Sequence, residues 1–169
     1  KVSQVVPFST FDSYDPEKLW EYMANYEEKT GGSVLAIAHN GNLTNSRALR
    51  RKLVGRGSIF QSTSDTEVII HLVATSRYPT VADRLIDALR LVEGAYALIV
   101  MTPEGMIACR DPLGIRPLVM GRMGPEDGGA ILFASESVAF DVVGAEFIRE
   151  VEPGEMLQVG FDGEIKSIH

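Results

Sequence analysis

Val34–Leu53 reads VLAIAHNGNLTNSRALRRKL. An apolar run, SVLAIAH (33–39), gives way to His39-Asn40-Gly41-Asn42, and Asn45 then opens a segment with helical spacing. The run predicts a strand that ends at this cluster and is buried on both faces. A strand end presents rigid donors. Glycine lets another group approach the backbone, and a Gly41 N–H beside the Asn40 side-chain amide gives two donors aimed the same way. Two such donors suit the oxygen that turns negative in acyl transfer. The same residues also read as a plain Asn-Gly turn.

Downstream, Asn45 caps a helix over 46–54, with Leu49 and Leu53 inward and Arg47, Arg50 and Arg51 mostly outward. GRGSIFQSTS (55–64) is a loop. Ser64 caps DTEVIIHLVATS (65–76), and Glu67, three residues on, completes a capping box. Thr80 opens VADRLIDALRLVEG (81–94), with Val81, Leu85, Leu89 and Val92 in register. The remainder is short strand-like runs: AYALIVMT, MIACRD, RPLVMGR, AILFASE and GEMLQVGF. Turn chemistry such as TPEG, DPLG and EPGE separates them, and one helical piece, ESVAFDVVG, interrupts them. Upstream, Asp15 and Pro16 open a further helix that Gly31 stops, with Leu19, Met23 and Tyr26 on one face. The pattern is α+β: helices segregated from a largely antiparallel sheet.

The 169 residues suffice for one buried core, and 45% apolar with 23% charged residues is ordinary for a globular chain. A net charge of −7 argues against nucleic acid and anionic membranes as partners. The single cysteine, Cys109, excludes an internal disulfide and fits a reducing, cytoplasmic setting. No apolar run approaches the ~20 residues of a membrane span. No signal peptide is visible, and a first residue of lysine suggests an excised piece.

Asp65, in the first turn of its helix, either complements the helix dipole or faces outward to bind an ammonium group. His71 reads as a partly buried helix residue. His39 and His71 with no third ligand predict no metal site. Neither a phosphate-binding loop nor a dinucleotide fingerprint is present, and no cofactor is expected. Cys109 lies mid-strand and reads as packing, with no base beside it in sequence.

Several stretches together resemble a known family: LAIAHNGNLTN, GSIFQSTSDTEVIIHL, GAYALIV, RDPLGIRPLVMGR and ASESVAFDVVGAEFIREVEPGEML. In order and spacing they resemble the glutaminase domain of amidophosphoribosyltransferases, glutamine-dependent enzymes of purine biosynthesis. The resemblance covers residues 34–169; residues 1–33 form an atypical segment. It implies the αββα sandwich of N-terminal-nucleophile hydrolases, incomplete at its N-terminus. It makes Asn40 and Gly41 the oxyanion hole, Asp65 the holder of the glutamine α-amino group, and glutamine the partner. The family's nucleophile is an N-terminal cysteine whose own amine is the base; here residue 1 is lysine. The His-Arg-Gly-Gln and Arg-Tyr-Ser/Ala-Thr motifs of that family are absent from 1–33, so the chain as it stands is expected not to hydrolyse glutamine. Cys109, with its amine in a peptide bond, is no substitute.

VPFSTFDSYDPEKLWEYMANYEEKTGGSVLAIAHNGNL resembles instead an uncharacterised bacterial family related to the PHP metal-dependent phosphoesterases, in which His39 could be a metal ligand. The two resemblances meet at HNGNL. A natural fusion, an assembly error or a designed chimera would each read this way. Three functions follow: a glutaminase domain supplying ammonia, a non-catalytic scaffold that self-associates through exposed sheet edges, or a phosphoesterase fragment.

Overall fold

In the computed structural model, residues 35–126 and 128–169 are described. The helix expected from Asp15, carrying Leu19, Trp20, Met23 and Tyr26, lies outside them. Strand β2 (Gly94–Thr102) sorts the core. Tyr96, Leu98 and Val100 enter one apolar cluster, while Ala97 and Ile99 enter another on the opposite face. Period-two alternation along one strand thus serves two cores at once.

β2 pairs antiparallel with β1 (Ala36–Leu43) on one side and β3 (Gly105–Arg110) on the other. β7 (Met156–Gly160) and β8 (Ile165–Ile168) complete a sheet ordered β1-β2-β3-β7-β8. A second sheet, ordered β5-β4-β6, holds β4 (Val119–Met123), β5 (Ala130–Ala134) and β6 (Glu146–Glu150). Every pairing among the described residues is antiparallel.

Helices α1 (Ser46–Val54), α2 (Asp65–Thr75) and α3 (Val81–Leu89) cover one face of the larger sheet. Leu53, Val68, Ile69, Leu72 and Leu85 meet Leu98, Val100 and Ile107 there. Burying each such side chain fully contributes about 1.5–3 kcal/mol. On the other face Ala97, Ala108 and Leu157 meet Leu118 and Met120 of the second sheet and Val151. Beyond that sheet lies α4 (Val138–Val143), whose buried Phe140 rests on Gly121 of β4. The order helix, sheet, sheet, helix is the αββα layering expected, with its outer helical layer reduced to α4 among the described residues.

The caps behave unevenly. Thr80 Oγ1 accepts from the Asp83 N–H at 3.0 Å, and Ser64 Oγ from the Thr66 N–H at 3.2 Å. Asn45 precedes α1 as expected but makes no side-chain cap bond. Its amide instead spans to the turn before β2, donating to Leu91 O at 2.9 Å and accepting from Glu93 N–H at 3.0 Å. Among the described residues no helix is long and apolar enough to cross a membrane.

Other expectations change. α3 stops at Leu89, short of the stretch 81–94 expected for it, so Val92 lies in the connection before β2. β1 does not stop at His39-Asn40-Gly41-Asn42 but runs through it to Leu43. Nor is it buried on both faces: Ala38, Asn40 and Asn42 are exposed, because β1 is the outermost strand of its sheet among the described residues. Arg50 does not point outward, its side chain being only 24% exposed.

Candidate functional site

The pleat of β1 divides its side chains. Ile37 and Leu43 join the helix-side core, and His39 between them puts its Nδ1 3.2 Å from Thr66 Oγ1 of α2. Asn40 projects to the opposite face, where its Nδ2 donates to Ser135 Oγ, just past β5, at 3.4 Å. The two sheets therefore meet at this amide.

The backbone of β1 is divided in the same way. Thr44 N–H donates to Glu93 O at 2.8 Å, on the β2 side. Leu43 N–H points away from β2 and donates to Asp65 Oδ2 at 2.9 Å. In an antiparallel ladder N–H directions repeat every second residue, so Gly41 N–H faces the same outer edge as Asp65. The fold thus brings Gly41 and Asp65 to one strand edge, although 24 positions separate them, while the neighbouring Asn40 directs its side chain to the face of the second sheet.

Gly41 is required by the closeness of β2. A Cβ there would run into the Ala95 carbonyl, and would lie 2.8 Å from Tyr96 Cα and 2.8 Å from His39 Nε2. Opposite, Gly94 adopts φ +137°, and a Cβ on it would meet the Asn42 carbonyl. The strands are pressed together from both sides at the donor cluster.

His39 Nε2 is buried and has no hydrogen-bond partner among the described residues. Burial, the largest influence, pulls the imidazole below its ordinary pKa; Asp65 opposes this and Arg116 adds to it. Burial thus favours the neutral ring.

The loop 55–64 delivers Asp65. Glu67 is buried, and its carboxylate accepts from Gln61 N–H at 2.6 Å, Ser62 N–H at 2.8 Å and Ser62 Oγ at 2.8 Å. Burial alone would raise this carboxyl; the bonds from Gln61 and Ser62 outweigh it and hold the group below its ordinary value. The expected capping box is thus corrected: Glu67 reaches past the cap to the loop before it. Arg50 closes the loop from α1, donating to Ser62 O at 2.7 Å and Ser64 O at 2.9 Å, with its guanidinium 4.1 Å from the Phe60 ring centre. His71 is partly buried against Phe60, as expected, with ring centres 4.3 Å apart.

RDPLGIRPL forms a self-bonded knot beside β3. Asp111, fully buried, accepts from the N–H groups of Tyr96, Leu113, Ile115 and Arg116. Arg110 donates to Arg116 O, Gly114 O and Val151 O. Neither is free to serve a ligand. Cys109 faces the helix-side core, 2% exposed, and burial pushes its thiol well above the ordinary range.

A strand edge carrying the outward Gly41 N–H, faced by a helix-borne carboxylate, sits in a fold whose family is shown by comparison. Residues 25–142 match the glutamine amidotransferase domain family, and the chain belongs to it. Within that family its relatives are amidophosphoribosyltransferases. The Rhizobium etli enzyme is 51% identical over 82% of this chain, and amidophosphoribosyltransferase 1 of Arabidopsis thaliana 44% identical over 94%. The solved Bacillus subtilis glutamine phosphoribosylpyrophosphate amidotransferase, complexed with ADP and GMP, superposes with a TM-score of 0.77 at 46% identity, over 83% of this chain. The chain spans 27% of each of those two relatives and 30% of the Bacillus structure. The family match begins at residue 25, ahead of the boundary expected at 34, and the Arabidopsis alignment extends further into the front segment.

His39, Ser135, Arg50 and Glu67 flank the candidate residues in contacts that the sequence reading did not anticipate. The pleat of β1 could have pointed to His39, because it lies on the same face as Ile37. Ser135 is visible only once the second sheet is placed.

Proposed function

We propose that the outer edge of β1 binds L-glutamine and stabilises attack on its side-chain amide. Asn40 Nδ2 and Gly41 N–H donate to the amide oxygen as a thiolate adds to the carbon and the oxygen turns negative. Asp65 accepts the α-ammonium group and so sets which end of glutamine faces the donors. Ammonia then leaves, and water hydrolyses the resulting thioester to glutamate. The observation that carries this reading is the Leu43 N–H bond to Asp65 Oδ2, which puts the carboxylate on the edge that Gly41 N–H faces. The thiol has to come from outside these 169 residues, since their single cysteine, Cys109, is sealed in the core. In a protein of the length of the relatives, the ammonia would serve phosphoribosyl pyrophosphate in purine biosynthesis.

Titration of the 15N-labelled chain with L-glutamine tests the binding step. Saturable shifts of the Gly41 and Leu43 amide signals are expected, and Asp65→Ala should abolish them. No shift at either amide as glutamine is raised, or shifts that survive Asp65→Ala, would refute the assignment.

A further inference from the structure

One group at this edge has chemistry that packing does not explain. The His39 ring is wedged between β1 and the first turn of α2, in the layer where Ile37 and Leu43 are apolar. One nitrogen reaches Thr66 Oγ1, next to Asp65; the other is buried without a partner among the described residues. An unpaired buried nitrogen is unfavourable, and a leucine of similar bulk would avoid it. The ring also stands over Gly41, with Nε2 2.8 Å from where a Cβ would lie. One side chain therefore touches both halves of the site.

We infer that His39 is a positioning residue that sets the spacing between the Gly41 donor edge and Asp65. Its Nδ1 ties α2 to β1 through Thr66, and its ring, seated above Gly41, fixes the height of the strand at the donor. Asp65 then meets Leu43 N–H in register and presents its other oxygen at a fixed distance from Gly41 N–H. This inference rests on the glutamine reading for its purpose, though not for its geometry.

Amide hydrogen exchange reads the geometry without any ligand. Leu43 N–H is protected by Asp65, so loosening of α2 from β1 shows there directly. His39→Leu keeps the bulk and removes the tie; Thr66→Val removes the partner hydroxyl without touching β1. Both are expected to speed Leu43 exchange by about tenfold while Leu98, deep in the core, is unchanged. His39→Asn, which returns a polar atom near the Nδ1 position, should restore most of the protection. Where glutamine binds the parent chain, its Kd should rise about tenfold in His39→Leu and recover in His39→Asn. Leu43 exchange unaltered in both Thr66→Val and His39→Leu overturns the inference, as does rescue by leucine equal to rescue by asparagine. Absence of glutamine binding by the parent chain refutes the glutamine reading instead, while the exchange result still decides the role of His39.

Discussion

Gly41 shows how little room the donor edge allows. Its neighbour across the ladder is Tyr96, and the backbone there lies where any side chain at 41 would go. Relief would have to come from β2 itself, because the obstacles include a carbonyl and a Cα. Gly41→Ala should therefore destabilise by about 3 kcal/mol, at or beyond the usual range for overpacking. Denaturant unfolding checks this: a loss below about 1 kcal/mol would mean that β2 can give way. Asn40, Gly41 and Asp65 were legible as candidates because each belongs to a short motif with chemistry of its own. His39 was not, since its role depends on which way the pleat turns it and on a helix turn 27 residues away.

At the scale of elements, caps and periodicity located α1 and α2 closely and the start of α3, whose end was set five residues too far on. They failed where a side chain found a tertiary partner: Asn45 bridges to 91–93, and Glu67 serves the loop before its helix. β6 (EFIRE) was not read as a strand because most of it is exposed and lacks alternation. β1 was misjudged because its apolar letters are those of a buried strand while its place in the sheet is an edge. The 55–64 loop owes its shape to Arg50 and Glu67. Arg50→Ala removes two donated bonds and the contact with Phe60, and should lower stability by about 1–2 kcal/mol. It should also open the loop to trypsin at exposed Arg56. Cleavage at Arg56 no faster than in the parent chain would show that Glu67 holds the loop alone.

At the scale of the whole molecule, a buried carboxylate helps to join the two sheets. Glu155, 2% exposed, receives Arg149 of β6 at 2.7 and 2.8 Å, Ser167 of β8 at 2.7 Å and the Glu152 N–H at 2.7 Å. The bond from Arg149 is the largest reason that its pKa is lowered to about 2. A carboxyl lowered on folding contributes stability above its unfolded value, because the unfolded chain binds the extra proton. That stability is lost as pH falls from about 4.5 towards 2. Glu155→Gln should flatten this acid limb and cost about 2 kcal/mol at pH 7, since Arg149 loses its counter-charge. Urea midpoints measured across that range decide it: an acid limb unchanged in Glu155→Gln would place the coupling elsewhere. The sandwich itself followed from the resemblance, whereas this joint did not, because it connects residues whose strands lie in different sheets.

The sealing of Cys109 has a practical consequence. With its sulfur enclosed and reluctant to ionise, the native chain should be silent to gentle thiol-directed labels. A cysteine introduced at any accessible position would then be the sole reactive sulfur. A spin label or fluorophore could be set at the β1 edge, or at Ser135 across the gap between the sheets, with no background to subtract and no native residue to remove first.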